Sequence, residues 1–126
     1  MDRLFHFLIG LPALAFVFVG ASWFVAPSFA ASNFDMALLE GRGLGTQIAD
    51  LASFFLTLGA CMLVGLRTGR PAWFYAAMML MGFATVGRVV AWKAHRAALT
   101  ADMIAVEVLL VVLLSIAITR TSKAGP

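Results

Sequence analysis

Four apolar runs, each long enough to cross a lipid bilayer, fix what this chain can fold into. They cover about residues 4–26, 47–66, 72–92 and 103–119. A spanning helix takes about 20 predominantly apolar residues, and in hydrocarbon every backbone N–H and C=O must be satisfied inside the segment, so such runs become helices. Four of them use up most of a 126-residue chain and leave room for one domain. The expectation is an all-α, four-transmembrane-helix bundle. Composition agrees: 63% of residues are hydrophobic and only 12% charged, where a soluble domain carries about a quarter. The net charge of +3 arises from so few groups that it reads as the topological excess of a membrane protein, and no nucleic-acid partner is expected. The single cysteine, Cys61, rules out an intrachain disulfide and a paired-cysteine metal site.

The first run, Leu4 to Ala26, follows Arg3 and is followed by Ser28-Phe29-Ala30, which resembles a signal-peptide cleavage site. The run exceeds a usual signal-peptide apolar region, so retention as a helix is expected. Pro27 ends it. The segment from Pro27 to Thr46 is interrupted by Asp35, Glu40 and Arg42 and is expected at the interface. Gly41, Gly43 and Gly45 suggest a tight turn there, with Thr46 as N-cap of the second span. Within that span Gln47, Asp50, Phe54, Thr57 and Cys61 recur at three- and four-residue steps, a polar stripe expected to face the bundle. Residues 67–71, RTGRP, form a short basic hairpin turn. The third span opens with Trp73 and Tyr75 as interfacial aromatics and closes on Arg88 and Trp92, with the helix continuing toward His95. Thr100 or Asp102 caps the fourth span, and the tail from Arg120 onward is expected to be disordered.

With four spans, Arg3, Arg67, Arg70, Arg120 and Lys123 share one side, and Arg42, Lys93 and Arg96 the other, with Arg88 near that boundary. The positive-inside rule therefore places both termini in the cytoplasm.

Three spans carry a charge at matching depth. Asp50 lies at the start of span two, Arg88 near the end of span three and Glu107 near the start of span four, all in the outer leaflet. An unpaired charge at the centre of a span costs about 2.5–3.5 kcal/mol on insertion scales, less near the interface. One guanidinium donating to two carboxylates would offset most of this, so an Asp–Arg–Glu network is expected. Such a network either locks three helices in register or forms a ligand site. Trp92 and His95 follow Arg88 at helical spacing on its face. The candidate ligand-binding residues are thus Gln47, Asp50, Arg88, Trp92, His95 and Glu107. Trp92 also reads as an interfacial anchor, and His95 as a headgroup-level residue that could handle a proton. His6 and His95 stand at opposite ends of a layer about 30 Å thick and cannot share a haem. Arg88 among the acids would repel a metal ion. No cofactor is expected, and no catalytic motif is present.

Four segments, GLGTQIADLASFFLTLGA (43–60), TGRPAWFYAAMML (68–80), GRVVAWKAH (87–95) and MIAVEVLL (103–110), together resemble a family of small bacterial four-span membrane proteins classed only as a domain of unknown function. The resemblance covers nearly all of the chain beyond the first helix. It implies a bundle in a bacterial inner membrane with the Gly-rich turn, Asp50, Arg88, Trp92, His95 and Glu107 as motif positions, and it carries no assigned activity. A fainter similarity, of architecture alone, is to the four-span isomerase and sterol-binding group that includes emopamil-binding proteins, whose aromatic-rich ligand pocket has no counterpart here. Three functions follow as expectations. The first is binding of a membrane lipid or small amphipathic ligand in the outer leaflet. The second is a structural or assembly subunit, as a homo-oligomer or in a larger membrane complex, with Gly59, Gly65, Gly82 and Gly87 as close-approach points. The third is an isomerase of an apolar substrate, with Glu107 or Asp50 moving the proton.

Overall fold

The computed structural model describes residues 3–123. It holds five helices in this stretch: α1 Arg3–Val25, α2 Pro27–Asn33, α3 Gly41–Thr68, α4 Pro71–His95 and α5 Ala101–Lys123. All but α2 are long and apolar enough to span a membrane, and only 17% to 33% of each apolar window is buried. The rest of each span carries large apolar side chains on its outer surface, such as Phe7, Phe18, Phe83 and Leu109, as a lipid-facing bundle requires.

The spans run up and down in chain order, α1 beside α3, α3 beside α4 and α4 beside α5, with α5 only grazing α1. Glycine lets the first pair approach closely. A Cβ on Gly59 of α3 would meet the Ala13 carbonyl oxygen of α1 at 2.6 Å, and one on Gly20 of α1 would meet Leu56 of α3 at 2.6 Å. Gly65 takes the ring of Phe74 from α4 in the same way. The hairpin turn between α3 and α4 is as expected. Gly69 has a left-handed φ of 67°, its N–H donates to the Gly65 carbonyl, and Pro71 opens α4, where its fixed φ and missing N–H cause no loss.

One core joins all four spans, and it occupies the half nearer the two ends of the chain: Ile9 and Ala13 from α1, Leu58 and Met62 from α3, Phe74, Ala77 and Met81 from α4, and Leu114 and Ala117 from α5. At that end Arg120 of α5 lies over the ring of Phe5 of α1, 5.0 Å from its centre. The opposite half is organised differently. There Trp23 of α1 is fully buried against Ala30 and Ala31 of α2 and Ala52 of α3, a layer to which α4 and α5 contribute nothing.

Several boundaries differ from the sequence reading. Helix α3 begins at Gly41, so Thr46 lies inside it and the alternating glycines are its first turns. The direction change happens one residue earlier, at extended Glu40 and at Gly41 with φ 59°. Helix α5 runs on through Lys123, so the first four residues of the expected disordered tail are helical, and the remainder lies outside the described residues. Thr100 stands directly before α5, its carbonyl accepting the Ile104 N–H at 3.0 Å. Helix α4 ends where Arg96 turns left-handed, φ 60°, and its N–H closes on the Ala91 carbonyl.

Candidate functional site

Helices α4 and α5 bring two of the three intramembrane charges together. Arg88 lies about 10 Å before the end of α4 and Glu107 about 9 Å after the start of α5, at the 1.5 Å rise of a helix, so antiparallel packing sets them at one level. The Arg88 Nε–H donates to Glu107 Oε2 at 2.9 Å. The Thr85 hydroxyl, one turn before Arg88, is shared between the Met81 carbonyl oxygen at 3.1 Å and Glu107 Oε1 at 3.2 Å. Both carboxylate oxygens are thus hydrogen-bonded, and the Glu107 side chain is 8% exposed against 32% for Arg88. That asymmetry decides what the pair can do. Glu107 is enclosed and satisfied, whereas Arg88 is held by Nε alone and its two terminal amino groups have no partner among the described residues.

The expected third member is absent from this cluster. Asp50 is exposed on α3 and makes no hydrogen bond or ion pair among the described residues. The polar stripe of span two does not face inward as a whole: Gln47 and Cys61 are buried, but Asp50 and Thr57 are exposed. Close packing of α1 at Gly59 and of α4 at Gly65 rotates α3 so that its glycine-bearing side is covered and the Asp50 edge is left outside.

Gln47 has a different role from that of a site ligand. Its Oε1 accepts the Leu39 N–H at 2.9 Å and its Nε2 donates to the Ala37 carbonyl at 3.1 Å. It clamps the segment after α2 onto the start of α3, satisfying backbone groups with no helical partner. Between that segment and α3 lies an open groove of about 600 Å³ lined by Met36, Leu39, Arg42, Thr46, Gln47 and Asp50 among others. Trp92 sits near the C-terminal end of α4, exposed, with the Lys93 ammonium 4.6 Å from its ring centre, a cation–π contact. His95, the last residue of α4, is exposed two turns beyond Arg88. Arg88, Glu107 and the unforeseen Thr85 therefore form one cluster, Gln47 and Asp50 belong to the α3 groove, and Trp92 and His95 to the C-terminal end of α4.

Thr85 was legible in principle, since it precedes Arg88 by three residues and Arg88 precedes Trp92 by four, all on one helix face. Among the described residues no group of three or more His, Cys, Asp or Glu side chains is placed to hold a metal ion. The glycines also divide: Gly59 and Gly65 are filled by the chain's own helices, and nothing lies within 4 Å of a Cβ built on Gly82 or Gly87. Comparison with protein-family models, curated proteins and solved structures finds no match to this chain.

Proposed function

We propose that this chain is a four-span protein of a bacterial inner membrane, both termini cytoplasmic, that binds the anionic group of an outer-leaflet lipid or small amphipathic ligand at Arg88. One observation carries the reading: Glu107 fixes the guanidinium through Nε, and the terminal N–H groups of this side chain, 32% exposed, have no partner among the described residues. Unsatisfied donors at hydrocarbon depth attract an acceptor. A phosphate or carboxylate suits the planar fork of arginine, and an acyl chain suits the lipid-facing flank of α4 at Val89 and Val90. Glu107 holds the cation in place, and Thr85 in turn holds Glu107. The Lys and Arg excess at the end carrying Arg3, Arg67, Arg70, Arg120 and Lys123 supports the orientation.

The test is lipid retention. The protein is extracted gently and reconstituted in nanodiscs with phosphatidylglycerol or with uncharged diacylglycerol as the competing amphiphile, and bound species are counted by native mass spectrometry. Wild type should retain phosphatidylglycerol over diacylglycerol, and the Arg88→Gln/Glu107→Gln pair, which leaves no unpaired charge, should lose that preference. Equal retention by the double variant would overturn the proposal.

A further inference from the structure

We propose that the groove between residues 36–39 and the start of α3 binds a lipophilic amine in its protonated form, with the ammonium on the Asp50 carboxylate and the apolar body against Met36, Leu39 and Leu51. This site shares no residue with the Arg88 site and does not depend on it.

The chain builds the groove by folding back on itself. The Gln47 amide accepts the Leu39 N–H and donates to the Ala37 carbonyl, and so holds the segment after α2 alongside α3. The space between them is about 600 Å³, inside the range of small-molecule sites, roughly 300–1,000 Å³. Met36 and Leu39 supply an apolar wall from the segment, and Leu51 one from the helix. Arg42, Thr46 and Asp50 follow one another at four-residue steps along the exposed face of α3 and line the same groove. Apolar walls beside a few polar groups suit an amphiphile.

The two charges in the groove differ in depth, and depth decides which of them a ligand must answer. Arg42 is the second residue of α3, about 12 Å nearer its start than Asp50 at the rise of a helix, and its long side chain can reach water or headgroups. Asp50 stands about 5 Å inside the apolar run of residues 47–66, on a side chain too short to reach back. It makes no ion pair or hydrogen bond among the described residues. A carboxylate left unpaired at the edge of hydrocarbon favours a cation that can enter from the bilayer. The surroundings add to this: residues 35–50 hold Asp35, Glu40 and Asp50 against Arg42 alone.

The lining also selects the kind of cation. Side chains on a helix lean toward its start, so Asp50 leans over the turn that carries Thr46. The Thr46 hydroxyl makes no hydrogen bond among the described residues, and its oxygen can accept an N–H beside the carboxylate. A protonated amine offers such N–H donors and a quaternary ammonium offers none. Quaternary ammonium groups are held instead by aromatic faces, and no aromatic side chain lines this groove.

The test uses full-length protein in phosphatidylcholine nanodiscs and radiolabelled octylamine, which is protonated at neutral pH as lysine is, in equilibrium dialysis with empty discs as background. One saturable site per chain is expected, displaced by unlabelled octylamine but not by octanol or octyltrimethylammonium at the same concentration. Asp50→Asn should weaken binding by about tenfold or more, the loss of a charge-assisted hydrogen bond. Thr46→Phe, which fills the groove and keeps the carboxylate, should abolish it with helix content unchanged. Arg42→Gln and the Arg88→Gln/Glu107→Gln pair should bind as wild type does, so this site stands or falls apart from the one at Arg88. Absence of a saturable site, competition by octanol or octyltrimethylammonium equal to that by octylamine, wild-type binding in Asp50→Asn or Thr46→Phe, or loss of binding in the Arg88→Gln/Glu107→Gln pair would each overturn the proposal.

Discussion

Replacing Arg88 with Gln strands Glu107 inside the bundle with only the Thr85 hydroxyl for company. Breaking a fully buried ion pair by removing one partner destabilises by about 3–5 kcal/mol. A third of the Arg88 side chain is exposed, so solvent and headgroups already screen the pair, and about 2–3 kcal/mol is the expected loss. The reverse change, Glu107→Gln, leaves a cation that is free to extend toward the interface, and about 1 kcal/mol is expected. The double replacement removes both charges and should lie near 1.5–2 kcal/mol in total, giving a coupling of about 1.5–2 kcal/mol between the positions. Reversible unfolding by SDS in mixed micelles, followed by the fluorescence of Trp23, Trp73 and Trp92, measures all four corners of the cycle. Additivity within about 0.5 kcal/mol, or a greater loss from Glu107→Gln than from Arg88→Gln, would refute the asymmetric pair described above.

Three further outcomes test other links. Gly59→Ala should destabilise by about 1–3 kcal/mol, the range for forcing a methyl into a tight contact, because its Cβ would meet backbone of α1; Gly87→Ala, facing open space, should be neutral or stabilising by up to about 1 kcal/mol, and equal effects in the same unfolding assay would contradict the packing of α1 on α3. Gln47→Leu should release residues 35–40, seen as faster hydrogen exchange at Leu39 and at least tenfold faster proteolysis in that segment, with the four spans unaffected. A reporter fused after Pro126 should be active as a cytoplasmic fluorescent protein and inactive as an alkaline phosphatase; the opposite result would invert the topology and move Arg88 to the inner leaflet.

The four spans were plain in the sequence because hydropathy over 20 residues leaves no other solution in lipid. The depth match of Arg88 and Glu107 was equally plain, since antiparallel helices joined by a short connection put equal distances from the turn at equal heights. Azimuth was harder to read. Asp50 shares the depth of Arg88, yet which way it faces depends on where α1 and α4 dock on α3. That is set by Gly59 and Gly65, whose partners Ala13 and Phe74 are distant in sequence. The same gap hid the exposed small and polar face of α3. It also hid the role of Gln47, whose amide is taken up by the backbone at Ala37 and Leu39 only because the chain folds back after α2. The start of α3 was misplaced because Gly41 combines a helix-opening position with a left-handed φ, and glycines read in sequence signal a turn whichever side of it the helix begins.

The contact on which the proposed site stands is the one between the Arg88 guanidinium and the Glu107 carboxylate, and a solid-state NMR distance between Arg88 Cζ and Glu107 Cδ in lipid bilayers measures it directly, with Arg88→Gln as the control that removes the signal. An Nε–Oε2 separation of 2.9 Å corresponds to about 4 Å between those carbons for a charge-assisted hydrogen bond, and a strong dephasing signal at that distance is expected. A separation beyond about 6 Å, too long for any direct hydrogen bond between the two groups, would mean that Arg88 is not held by Glu107 and that the anion site has no foundation.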